Sequence, residues 1–215
     1  MTREPLGTVK IVAIAAVALL GINRFLPGVP LALIPHRGVP RPDAHAEPIQ
    51  VDREAPAQTL SRRFTTYRLT PRASYDISAR VVARERFWLG VPAGLIPWDF
   101  GLAWGMLVDE PLRSRIAYFQ TSRFLFWSWK EGSLDRDYIA CHAANVHLIP
   151  ATSRVAGVLN RVRTGDVVRM EGDLVDLAGP NGFTWATSLS RTDTGPGACE
   201  TIWVRVITVG TRRYE

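Results

Sequence analysis

Lysine is nearly absent from this 215-residue chain: Lys10 and Lys130 are the only lysines among 26 basic residues. The net charge of +6 is therefore carried by arginines, and those such as Arg80, Arg84, Arg115 and Arg169 are dispersed along the chain. Nucleic-acid binding rests on clustered cations that release counterions from a polyanion. Despite a pI near 9.9, the dispersion argues against a nucleic-acid partner. Cysteine is as scarce, with Cys141 and Cys199 alone, so one disulfide is the most the chain can form. Residues that are 47% hydrophobic and 21% charged exclude wholesale disorder, and a mean hydropathy of +0.01 excludes a polytopic membrane protein. The length leaves room for one domain with appendages, large enough to bury a core without metal or disulfide support.

Long hydrophobic runs are also few, and the clear one follows Lys10 at residues 11–22, IVAIAAVALLGI. It is nearer the about 7 to 15 residues of a signal-peptide core than the roughly 17 to 25 of a bilayer span. No small-x-small cleavage site follows at the usual distance; Ala44-His45-Ala46 lies far downstream. Apolar character resumes at 25–34 after Asn23 and Arg24, and an arginine there can snorkel to headgroups. Residues 1–34 are thus read as an N-terminal hydrophobic helix, a single-pass anchor in preference to a cleaved signal. Arg37 and Arg41 compete with Arg3 and Lys10 in the positive-inside count. The export-like segment favours the inner membrane, with the remainder in the periplasm. Residues 35–58, rich in Pro, Ala and charge without a hydrophobic period, predict an extended tether.

From residue 59 to 215 strand patterns dominate. Tyr75, Ile77, Ala79 and Val81 alternate with polar neighbours, as a sheet with one wet face requires. Further strands are expected at 115–119, 124–129 and 138–149. Segments 167–177 and 183–189 are joined through Gly179-Pro180-Asn181-Gly182, where Asn-Gly signals a hairpin turn. A last strand at 199–209 places Ile202, Val204 and Val206 on one face and Trp203, Arg205 and Ile207 on the other. One short helix is expected after Thr152 or Ser153 as cap, with Val155, Val158, Leu159 and Val162 at helical spacing. Residues 90–110, rich in Gly, Pro and Trp, read as a long packed loop, either functional or a lid over one end of the fold. The fold class is mainly β: a single antiparallel β-barrel or curved-sheet domain with one short helix.

Gly165-Asp166-Val167-Val168, with Glu171-Gly172 after it, resembles the strand entry of OB-fold and related barrels. The segment Asn145-x-His147-x-Ile149-Pro150-Ala151 and the C-terminal Cys199-Glu200 strand resemble a family of membrane-anchored proteobacterial envelope proteins. That resemblance implies location and no activity.

The densest reactive cluster is Cys141, His142, Asn145 and His147. On a strand, Cys141, Asn145 and His147 share a face while His142 points away. The remaining histidines, His36 and His45, lie in the tether, so a zinc site lacks its four ligands and no metal or other cofactor is expected. A Cys141 thiolate activated by histidine suits acyl transfer or redox chemistry. The plainer reading makes Asn145 and His147 a buried hydrogen-bonded pair. Cys141 and Cys199 can form a disulfide if their strands are neighbours, or remain two buried thiols. Asp99, Asp193 and Glu200 are carboxylates in Trp- or Gly-rich settings, able to serve as acid and base if a pair of them converges. Asp193 more simply organises a tight turn. Leu125, Trp127 and Trp129 alternate with Phe124 and Phe126; an exposed row stacks sugars or bases, while apolar residues on both faces argue for packing. Three functions follow. The first is a membrane-tethered binding or scaffold component of the cell envelope with a protein partner there. The second is an envelope hydrolase or thiol enzyme using Cys141, Asn145 and His147. The third is an OB-like binder of glycans or single strands through Trp127, Trp129 and Asp99.

Overall fold

The computed structural model describes residues 36–62, 64–90, 92–129, 135–193 and 195–215; the anchor read at 1–34 lies outside them. The strands among the described residues are β1 (His36–Arg37), β2 (Ile49–Asp52), β3 (Gln58–Arg62), β4 (Thr65–Arg86), β5 (Trp98–Ala103), β6 (Ile116–Thr121), β7 (Phe124–Trp129), β8 (Ala143–Pro150), β9 (Val167–Ala178), β10 (Thr184–Trp185), β11 (Glu200–Val209) and β12 (Arg212–Tyr214). Two α-helices join them, α1 (Arg136–His142) and α2 (Ser153–Leu159). The protein is mainly β, and all strands but β6 and β7 belong to one large sheet.

Alternation governs the longest element. In β4 every second residue from Tyr67 through Leu69, Pro71, Ala73, Tyr75, Ile77 and Ala79 to Val81 is buried, so the pattern read at 75–81 extends well to its N-terminal side. β4 pairs antiparallel with β5, and β5 antiparallel with β8. β8 lies parallel to β11, which pairs antiparallel with β9, and β9 pairs antiparallel with β4. β2 and β3 add to the first half of β4, while β12 and β1 extend the sheet from β11. Tyr67, Leu69, Leu95, Ile96, Ile149, Val175, Leu177 and Trp203 form one hydrophobic cluster. α2 is capped by Thr152 Oγ1, which accepts from the Val155 N–H, and it buries Val155, Val158 and Leu159, with Val162 beyond its end. The expected helix is therefore present where its spacing placed it.

Five expectations are corrected. Residues 90–110 are not one loop: β5 lies within them, and all six of its residues are buried. With both faces covered there is no polar alternation to mark it. Residues 138–149 are not one strand: the first part is α1, started by Asp135 accepting from the Asp137 N–H, and β8 begins at Ala143. The Asn181-Gly182 turn has both residues at positive φ, but the returning strand β10 is only two residues long. In β11 a bulge at Arg205 breaks the register between Val204 and Val206, so Ile207 is buried and Val206 is not. The bulge is accompanied by a close approach at Gly172, where a Cβ would stand 2.1 Å from the Trp203 carbonyl oxygen. Finally, the stretch read as a tether lies along the domain from residue 36 onward. β2 pairs with β4 from Ile49 to Asp52, Ala44 is buried, and its carbonyl accepts from the Gly105 N–H at 2.9 Å. Backbone bonding of this kind needs no hydrophobic period, so composition did not announce it.

Candidate functional site

The register of β5, β8 and β11 brings buried polar residues together. Asp99 on β5 stands opposite His147 on β8, Gly101 opposite Asn145, and His147 opposite Thr201 on β11. Over this face folds the β6–β7 hairpin. Its turn is Ser122-Arg123, with φ of 51° and 67°, the doubly left-handed geometry that matches the twist of a two-residue hairpin. Left-handed backbone costs a non-glycine residue about 1 to 2 kcal/mol, and the Arg123 side chain is held by contacts that offset it. Its guanidinium donates to Asp99 Oδ1 at 2.9 Å and to the Ile96 carbonyl at 3.3 Å, and lies 3.7 Å from the Phe87 ring centroid. The Arg123 carbonyl accepts from Asn145 Nδ2 at 2.9 Å, while Asn145 Oδ1 accepts from Gln120 Nε2 at 2.6 Å. Leu125 covers Gly101 so closely that a Cβ there would fall 2.7 Å from Leu125 Cδ1. The hairpin is thus pinned at its tip and its underside.

The sequence cluster is partly assembled by this arrangement. Asn145 and His147 are both buried, and His147 Nδ1 stands 2.9 Å from Asp99 Oδ1. The approach is close but misaligned: neither His147 Nδ1 nor Asp99 Oδ2 has a hydrogen-bond partner among the described residues. It is a close polar contact rather than a directed bond. The edge of Trp185 meets the imidazole, ring centroids 4.9 Å apart. Cys141 does not join them, because it sits on α1 and not on β8. The cysteine of the cluster is Cys199, whose Sγ lies 3.7 Å from Asn145 Nδ2 and 3.9 Å from the Arg123 carbonyl. Burial pushes its thiol up to about 11, so it stays protonated near neutrality and is not an activated thiolate. Both cysteines are free; the disulfide weighed for Cys141 and Cys199 is not formed, one residue being helical and the other preceding β11.

Beside this cluster a cleft of about 440 Å³ opens between the hairpin, α1 and the loop before β11. Trp127, Trp129, Arg136, Arg191, Asp193 and Glu200 are among its walls. Trp127 and Trp129 are half-buried and tilted at 60° to each other, centroids 5.1 Å apart. Glu200, 2% exposed, has an Oε2 without a hydrogen-bond partner among the described residues. Burial, with Asp193 nearby, raises its carboxyl to about 8 against the pull of Arg191, so the protonated form predominates at neutral pH. Asp193 accepts from Ser188 Oγ at 2.7 Å. Glu47, from the leading segment, reaches the same region: it accepts from Trp104 Nε1 at 3.3 Å, meets His142 Nε2 at 2.9 Å and lies 3.6 Å from Arg191. On the outer side of the hairpin Phe119 and Phe126 are exposed and stacked with centroids 5.2 Å apart, and Phe126 also borders the cleft.

The structure therefore divides the sequence candidates. Asp99, Asn145, His147 and Cys199 meet in one polar cluster; Trp127, Trp129, Asp193 and Glu200 meet in one cleft. Arg123, Glu47 and Trp185 carried no sequence signal of their own, although Ser-Arg between two aromatic strands is the hairpin turn that places Arg123. Among the described residues no group of three or more His, Cys, Asp or Glu is placed to hold a metal ion, and no helix is long and apolar enough to cross a membrane. No family model, no curated protein and no solved structure matches the chain.

Proposed function

We propose that this chain is a membrane-tethered binding component of the bacterial cell envelope, an OB-like β-barrel that takes its ligand in the cleft beneath the aromatic hairpin. The barrel reading rests on the ring of pairings β4–β5–β8–β11–β9–β4, with the β8–β11 step parallel and α2 between β8 and β9. That is the order in which an OB-type barrel arranges its five strands, and such barrels bind ligands on the second and third strands and the adjoining loops. Here those strands are β5 and β8, the ones the hairpin covers. The envelope reading rests on the apolar segment at 11–22.

The observation that carries the binding function is the cleft itself: partly buried indoles beside a buried carboxyl group with one oxygen unpartnered among the described residues. Packing alone gives no reason to leave Glu200 Oε2 unsatisfied, since a buried polar group without a partner costs about 1 to 3 kcal/mol. Photo-crosslinking of the full-length protein in native membranes tests this. A photoreactive residue replacing Phe126 should capture an envelope component, whereas one replacing Arg72, exposed on β4, should capture none. Equal or absent capture at both positions would overturn the cleft as the binding site.

A further inference from the structure

We infer that the cleft accommodates an uncharged sugar ring of a glycan, stacked on Trp127 and Trp129 and hydrogen-bonded by Glu200 and Asp193. This rests on the binding reading above and names its ligand class. Two indoles at 60° with centroids 5.1 Å apart make a floor and a side wall, and the weakly positive C–H face of a pyranose packs on an electron-rich ring. The volume of about 440 Å³ falls within the roughly 300 to 1,000 Å³ of small-ligand sites.

Glu200 offers a buried oxygen with no partner among the described residues, Asp193 an acceptor, and Arg136 and Arg191 donors at the same walls. A neutral carboxyl group both donates and accepts, which is what adjacent sugar hydroxyls require. Burial keeps Glu200 in that neutral form, so the two guanidinium groups face a single carboxylate. Such a wall is poorly suited to an organic cation, which the aromatic rings alone would favour, and Arg191 is already engaged by Glu47, which weakens the case for an anion. Donors and acceptors in near balance beside aromatic faces fit a polyhydroxyl ligand best.

The experiment is calorimetric titration of the full-length protein in detergent micelles with the β-1,4-linked N-acetylglucosamine tetramer and with maltotetraose. Choline serves as the cationic probe. Saturable binding of at least one sugar is expected, weakened about tenfold or more by Trp129→Leu. Glu200→Gln, which keeps a neutral donor and acceptor, should stay within about threefold of the parent; Glu200→Met, similar in volume, should lose about tenfold or more. Circular dichroism of each variant separates lost binding from lost folding, and the Gln variant keeps the test open if Met disturbs the core. No binding of either sugar overturns the inference. Binding of choline alone, abolished by Trp129→Leu, overturns it too but leaves the cleft as the binding site. Sugar binding indifferent to Trp129 and Glu200 places the sugar elsewhere and overturns it.

Discussion

Strand β11 runs past two buried carboxyl groups, and the protein treats them in opposite ways. Asp173, opposite Trp203, meets Arg53 at 2.8 Å and Arg205 at 2.6 Å; the bulge at Arg205 aims that side chain at it. Glu200, at the first position of the strand, has an oxygen with no partner among the described residues and is driven towards its neutral form by burial. A charge withdrawn from water must be paired or given up. Asp173 keeps its charge and ties β9, β11 and the leading segment together. Glu200 gives its charge up and keeps an oxygen unbonded among the described residues at the cleft wall. Asp99 stands between them, with Arg123 and His147 each 2.9 Å away but one oxygen unbonded.

This contrast can be broken from the paired side first. Replacing both Arg53 and Arg205 with methionine leaves Asp173 charged, buried and alone, and should lower stability by about 3 to 5 kcal/mol in urea unfolding. At Glu200 the effect is one of pH. The ordinary carboxyl value is 4.5 and the folded value about 8, so across that window the unfolded chain has released a proton that the native state still holds. Stability from this group is complete below pH 4.5, declines as pH rises, and levels off above 8, a loss on the order of a few kcal/mol. Asp193 and Arg191 at the cleft, and Tyr75 and Cys199 behind it, are the groups that feel the same charge. Glu200→Gln should flatten that slope in unfolding curves taken from pH 5 to 9; an unchanged slope would show that the carboxyl is not held neutral.

The intermediate case yields a smaller effect. His147→Ala removes one neighbour of Asp99 and the packing against Trp185, for an expected loss of about 1 to 3 kcal/mol in urea unfolding. A variant as stable as the parent would show that the contact contributes nothing to the fold. The smallest effect belongs to the exposed carboxylates. His45 is held above its ordinary value of 6.5 by Asp109 and Asp43, so its contribution is complete below 6.5 and fades as pH rises through the raised value. Amide exchange at residues 44–46, corrected for intrinsic pH dependence, should quicken over that rise, and His45→Gln should remove the change.

How far the sequence showed this depends on which groups carry each feature. Alternation in β4 is written by side chains half of which face water, and α2 by apolar residues at helical spacing with Thr152 before them. Both were legible. β5 was not, because a strand covered on both faces has no polar phase, and α1 was hidden because no Gly or Pro separates it from β8, although Asp135 marks its start. The leading segment escaped because its attachment runs through main-chain bonds and a few side chains such as Glu47. Of the site, the residue types were visible and the groupings were not. Cys199 and not Cys141 joins Asn145, because the latter's neighbours are fixed by the parallel step from β8 to β11, which sequence separation conceals.

The pairing of β1 with β12 joins the first described strand to the last, His36 with Arg213 and Arg37 with Arg212. During synthesis, then, the start of this domain emerges some time before its partner exists. Contacts of such long range are closed late and at a high entropic cost. Until β11 and β12 have left the ribosome, the edges of β8 and β9 wait unpaired, and the domain passes through translation as an open sheet vulnerable to association with other chains.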